Sequence, residues 1–283
     1  MTYAGNMTIS SRNNCFRAEI LVSAALLITT GVAAVRVLSH YPSLVARAGG
    51  RPPGPFQALA AHFLGPFPWA PLISMMGSIL FALISLILIL YYFEKTPAPE
   101  MLFVSFFVFS LAFEAGRIML PLIAAWNLPG VFGVMAQRVL LFGRYAGIFS
   151  LFVAGLCASG LEMQRQVNII LIIILAGLVI ALGVPLDSLA WDTSLCLVTG
   201  YGLMFLLVEA GVALIGALSF FVSAHTRGSR KYAGAGAGAF LAFLGWGTFL
   251  RSDTWPALAL GLILLALGTW LVCGQLHRVY LWL

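Results

Sequence analysis

The stretch LISMMGSILFALISLILILYYF, residues 72–93, carries no charged side chain from Leu72 to Phe93. Wound as an α-helix at 1.5 Å per residue it is about 33 Å long, and the hydrocarbon core of a bilayer is about 30 Å thick. It therefore reads as a membrane-spanning helix. Moved outward in both directions, the same ruler finds further apolar segments at 19–38, 101–125, 139–161, 167–186, 195–224, 232–250 and 255–276. Connections after residue 93 are short, so successive helices should lie antiparallel to their neighbours. The expected fold class is all-α: a polytopic transmembrane helical bundle, with an N-terminal signal or anchor helix plus seven further helices.

Composition points the same way. Of 283 residues, 61% are hydrophobic and 8% charged. Soluble domains are about a quarter charged, so this chain has too few charges to clothe a water-facing surface. The formal charge of +6 comes from 15 Lys and Arg scattered between apolar segments. Without a basic stripe or an interleaved aromatic platform, that excess reads as membrane topology and argues against nucleic acid as a partner. The four cysteines, Cys15, Cys157, Cys196 and Cys273, stand far apart, as do His40, His62, His225 and His277. Local spacing builds no metal site, no Cys/His nucleophile and no disulfide framework. Phosphate-loop, zinc-protease and serine-hydrolase motifs are missing, so no cofactor is expected and catalysis has no sequence support.

Arg12 and Arg17 precede the first apolar segment, which ends in Val32-Ala33-Ala34, a signal-cleavage-like triplet. Residues 1–38 are thus either an anchor or an export signal. Residues 39–71, with GGRPPGP at 49–55, are an expected external loop too rich in Pro and Gly to fold as a sensor domain. Residues 72–283 form the seven-helix membrane domain. With the N-terminus inside, Lys95, Arg165, Arg227, Arg230, Lys231 and Arg278 fall on the cytoplasmic side and Arg138 and Arg251 in the external loops after the first, which is the exception with its Arg47 and Arg51. That bias satisfies the positive-inside rule and puts the C-terminus in the cytoplasm, in an expected bacterial cytoplasmic membrane. The basic run 225–231 reads as a topology determinant beside anionic headgroups, or as a docking point for a separate membrane or cytoplasmic partner.

Glu114, Arg117, Arg144 and Glu209 lie inside apolar segments. An ionisable side chain there is costly unless paired or hydrated, so these four are the candidate site. Glu114 and Arg117 are three apart and share a helix face. Helical rise puts both in the outer half, Arg144 about 8 Å below the external boundary, and Glu209 near the middle of its segment. In one reading the four converge on an outward-facing pocket where two guanidinium groups hold a small anionic ligand. In the other, Glu114 pairs with Arg117 and Glu209 with Arg144, a network that sets helix register. Asp187 and Asp192 beside Trp191, and Asp253 near Trp255, read either as cation or ligand contacts on the external side or as solvated loop acids next to interfacial tryptophans. Gly234 and Gly238 match the GxxxG helix-packing pattern, inside the bundle or at a dimer or gating seam.

The run Tyr91-Tyr92-Phe93-Glu94-Lys95, followed by MLFVSFFVF at 101–109 and a further aromatic-rich hairpin, resembles the seven-helix membrane domain of bacterial sensory receptors with diverse intracellular signalling modules. The resemblance spans residues 80–187. It implies an export segment, then seven helices with the C-terminus inside, acting through a separate partner, and it assigns no residue a role. The expectation is a receptor-like or scaffold membrane protein. The alternative is a secondary transporter or permease component that uses the intramembrane Glu and Arg residues. A cavity closed toward the cytoplasm favours sensing, and a two-sided route favours transport.

Overall fold

The computed structural model describes residues 8–38, 67, 69–96, 98–160 and 166–280. Its helices are α1 Ile9–Val37, α2 Ala70–Phe93, α3 Glu100–Ser110, α4 Met119–Trp126, α5 Val131–Ala158, α6 Gln166–Gly183, α7 Gly202–Thr226, α8 Arg230–Leu250 and α9 Trp255–Tyr280. A 3₁₀ stretch, Leu111–Ile118, joins α3 to α4 so that Glu100–Trp126 is one rod with a tightened middle. Among the described residues, eight such rods are long and apolar enough to cross a membrane. The remaining regular structure is an antiparallel hairpin between α6 and α7, made of β1 Leu186–Trp191 and β2 Leu197–Thr199. The expected loop 39–71, apart from Phe67, Trp69 and the start of α2, lies outside the described residues, as does Arg165.

The rods alternate in direction, which gives the molecule two unlike ends. At the terminal end, Arg12 of α1 meets the last carbonyls of α2, and Tyr280 of α9 meets Glu100 of α3. At the hairpin end, β1 and β2 fold over α2, the 3₁₀ stretch and α5.

Three expected boundaries are corrected. The first helix begins at Ile9, not at residue 19, and Arg12 and Asn13 lie within it. A helix C-terminus leaves its last carbonyls unpaired at the negative end of the dipole. Arg12 Nη2 and Nη1 donate to Phe93 O and Thr96 O, both at 2.6 Å, and Asn13 Nδ2 donates to Glu94 O at 2.9 Å. The polar residues are therefore buried caps for α2. The fourth rod begins at Val131, not at 139, because Gln137 and Arg138 find partners too: Gln137 Oε1 accepts from Leu197 N, and Arg138 Nη1 donates to Val184 O and Ala181 O at the end of α6. The sixth rod begins at Gly202, not at 195; Leu197–Thr199 pair as β2, and Tyr201 in the left-handed region (φ 54°) breaks the chain before the helix starts.

Glycine sets how closely the rods approach. α8 and α9 form the most extensive interface. A Cβ on Gly245 would collide with Leu265 N, and one on Gly268 with Ala242 N. Gly238 faces Leu271 and Val272 at 2.8 Å, and Gly234 faces Gln275 at 3.0 Å. The GxxxG pattern thus packs against the next helix of the same chain. On α5, Gly143 and Gly147 admit Phe113 and Ser110, so the 3₁₀ stretch is sunk into the α5 surface.

Candidate functional site

The 3₁₀ stretch carries Glu114 and Arg117, each 1% exposed. Runs of 3₁₀ helix beyond three or four residues are uncommon, and mid-helix ones often mark functional positions. Arg144, on α5, donates from Nε to Glu114 Oε1 at 2.7 Å and from Nη2 to Glu114 Oε2 at 2.9 Å. This is the two-pronged geometry that a planar guanidinium offers a carboxylate. Arg117 Nη1 lies 3.6 Å from Glu114 Oε2, while its Nε and Nη2 both donate to Ser194 O and its Nη1 donates to Ser74 Oγ at 3.0 Å. One carboxylate therefore faces two guanidinium groups, and the second of these bolts the hairpin tip to α2.

The tip is held by packing as well. Leu195 takes a left-handed φ of 58°, uncommon for a bulky residue, and its buried side chain joins an apolar cluster with Ala34, Met75, Ile118 and Leu122. Asp192 Oδ1 accepts from Thr193 N at 2.7 Å and closes the turn. Asp192 N donates to Cys196 O at 2.8 Å. The hairpin thereby becomes a fixed roof.

Beneath it lies a cavity of about 150 Å³ whose lining includes Gln137, Arg144, Tyr145, Asp192, Glu209 and Arg251. Glu209, on α7 and 6% exposed, accepts from Arg251 Nη2 at 2.7 Å. Asp253, in the turn after α8, stands close to Asp192 and Thr193. Burial pushes its carboxyl up to about 6, and Asp192 adds to the rise against the Thr193 hydrogen bond and the field of Arg117.

The four predicted residues divide. Glu114 and Arg144 form one pair and Arg117 joins it, while Glu209 reaches the same cavity from the far wall. One expectation is corrected: the partner of Glu209 is Arg251, not Arg144, because Arg144 spends both prongs on Glu114. Arg144 sits roughly 20 Å along its rod from Val131. Arg117 is committed to the hairpin, so the guanidinium groups facing the cavity are Arg144 and Arg251. Sequence reading missed Gln137, Asp192 and Arg251 as site residues, and Glu19 as a buried acid. Arg251 had one available signal, its place at the end of the rod that packs beside α7. Among the described residues no three His, Cys, Asp or Glu side chains gather into a metal-binding group.

No family model matches the chain, and no solved structure does. A protein of Treponema pallidum (strain Nichols), described only as an uncharacterized protein, is 25% identical over 344 aligned positions, covering 98% of this chain and 100% of the relative. The similarity extends along the whole length and names no activity.

Proposed function

We propose that this chain is a polytopic protein of the bacterial cytoplasmic membrane, receptor-like or scaffold in character, that takes a small anionic ligand into the pocket at its hairpin end and acts through a separate partner. One observation carries the reading: Arg144 and Arg251 line a single cavity, each aligned by a buried carboxylate, beneath a roof that Arg117 holds. A guanidinium already fixed in place loses little freedom on binding an anion and presents paired donors.

Charge supports the orientation. The terminal end carries Arg12, Arg17, Lys95, Arg227, Arg230, Lys231 and Arg278, so the positive-inside rule puts it in the cytoplasm and the pocket outside. The docking of α1 through Arg12 and Phe16 supports a retained anchor over a cleaved signal. The bacterial relative supports the compartment. This is also the role that the resemblance to sensory-receptor membrane domains implies. A second reading, a transporter, draws on the 3₁₀ interruption at Glu114 and Arg117, since broken helices form the binding sites of many transporters.

Thermal melting of the purified full chain in detergent, against small carboxylates, inorganic phosphate and sulfate, tests the pocket. The expected result is an anion that raises the wild-type midpoint and raises it far less in Arg251→Lys, which keeps the charge opposite Glu209 but loses the planar fork. Equal stabilisation of both proteins, or of neither by the whole set, removes this reading. Movement of the stabilising anion across proteoliposomes would replace the receptor with the transporter.

A further inference from the structure

Glu19 lies on α1 roughly 15 Å along the rod from Ile9, at 1.5 Å per residue, and is 5% exposed. Among the described residues no cation pairs with it: the ion pairs there involve Glu94, Glu114 and Glu209. α1 packs against α2, α3, the 3₁₀ stretch and α4. α4 has no titratable side chain, and α2 has only Tyr91 and Tyr92, at the terminal end. α3 contributes Glu100, which accepts from Tyr280 Oη at 2.7 Å. The 3₁₀ stretch contributes Glu114 and Arg117, both committed to Arg144, Ser74 and Ser194. On α1 itself, Cys15 is one turn away, Arg12 is spent on the α2 carbonyls, Arg17 lies 3.8 Å from Glu94 at the surface, and Arg36 is at the opposite end.

Hydrogen bookkeeping decides what this carboxyl is. Ser105 Oγ stands 2.8 Å from Leu102 O and 3.3 Å from Glu19 Oε1. A hydroxyl has one hydrogen, and a carbonyl can only accept. Ser105 Oγ is within donating distance of both, and its one hydrogen cannot fully serve two acceptors; Leu102 O is the nearer, so Glu19 Oε1 has at most a shared donor. A protonated Glu19 resolves the conflict by donating from Oε1 to a lone pair of Ser105 Oγ. Glu19 Oε2 and Ser23 Oγ, one turn on, are both buried without a partner. An ionised carboxylate seeks several donors, and this one has none to itself.

We propose that Glu19 is a proton-binding site within the bundle, a neutral carboxylic acid donating from Oε1 to Ser105 Oγ. Unlike Glu114 and Glu209, it can take up or release a proton without breaking an ion pair. The site rests on the contacts of α1 with α3 and is independent of what occupies the hairpin-end pocket.

Dicyclohexylcarbodiimide reads such a group directly. Its nitrogen takes the acid proton while the carboxyl oxygen adds to its central carbon, and the adduct rearranges to a stable N-acylurea. In the full chain at neutral pH, peptide mass spectrometry should find the label on Glu19, none on the ion-paired Glu114 and Glu209, and complete loss in Glu19→Gln. The wild-type map decides even if that variant misfolds. Infrared spectroscopy gives a second readout: Ser105→Ala should move the carboxylic-acid carbonyl stretch to higher frequency without abolishing it, because the acid loses its acceptor. No label on Glu19 in the folded chain, or a carbonyl band unmoved by Ser105→Ala, overturns the proposal.

Discussion

The two ends of the molecule solve the same problem in opposite ways. At the hairpin end, charge meets charge: the buried Glu114 with Arg144 and Arg117, and the buried Glu209 with the half-exposed Arg251. At the terminal end, charge meets neutral dipoles: Arg12 with backbone carbonyls, Glu100 with the Tyr280 hydroxyl, Arg227 with the hydroxyl and ring of Tyr232. A neutral partner ends the matter, because once satisfied it leaves nothing for a ligand to compete for. An ion pair at a cavity wall keeps a field that an incoming anion can enter. On the proposed reading, that difference is what would let the hairpin end take an anion where the terminal end is closed.

Removing one partner should therefore hurt most where charge faces charge. Glu114→Ala leaves two guanidinium groups facing each other in the interior, a change expected to cost about 3–5 kcal/mol. Denaturant-induced unfolding of the chain in detergent would read this as loss of most of the folded population. If Glu114→Ala melts like the wild type, the pairing of Glu114 with Arg144 and Arg117 contributes nothing to stability.

At the terminal end the matching test is Arg12→Ala. It strips donors from Phe93 O and Thr96 O, and an unsatisfied buried polar group costs about 1–3 kcal/mol. The midpoint should fall by less than in Glu114→Ala, and hydrogen exchange should rise first in the last turn of α2. An Arg12→Ala loss equal to that of Glu114→Ala would erase the distinction between the ends.

The smallest effect concerns Asp253. Its carboxyl is raised to about 6 from an ordinary 3.8, so the folded state binds its proton more tightly than the unfolded chain. The resulting stabilisation is fully present below the ordinary value and is lost as the pH rises through about 6. The wild-type midpoint should therefore decline slightly over that interval, and Asp253→Asn should flatten the decline. An identical slope in both proteins would remove Asp253 from the hairpin-end electrostatics.

Much of the fold was legible because rods long and apolar enough to cross a bilayer leave a mark of length and composition on every segment. The rods at 72–93 and 232–250 were read nearly to their ends, bounded by Pro71 and Glu94 and by Lys231 and Arg251, and the last rod was read from its first residue, Trp255. The misread boundaries share one cause. Arg12, Gln137 and Arg138 looked like residues outside a helix because they are polar, yet each is inside one because a partner distant in sequence satisfies it. Residues 195–199 looked like helix because they are apolar; their pairing with 186–191 depends on a hairpin whose tip is anchored by Leu195 and Arg117.

The four charged residues were likewise legible as a set, since an ionisable group in an apolar run stands out by composition. Their pairing was not. Arg144 and Arg251 are both within reach of an acid by sequence arithmetic, and only side-chain direction assigns Arg144 to Glu114 and Arg251 to Glu209. Glu19 shows the same limit from the other side, as an acid that looked like a flank and is buried with no cation beside it among the described residues. By itself the sequence determined the number and apolarity of the rods, because those follow from local composition and helical rise, but not where the first, fourth and sixth begin. Tertiary structure alone decided which charge meets which, where the hairpin closes, and that Arg144 and Arg251 share one cavity, because hydrogen-bond partners in a bundle come from rods that are far apart along the chain.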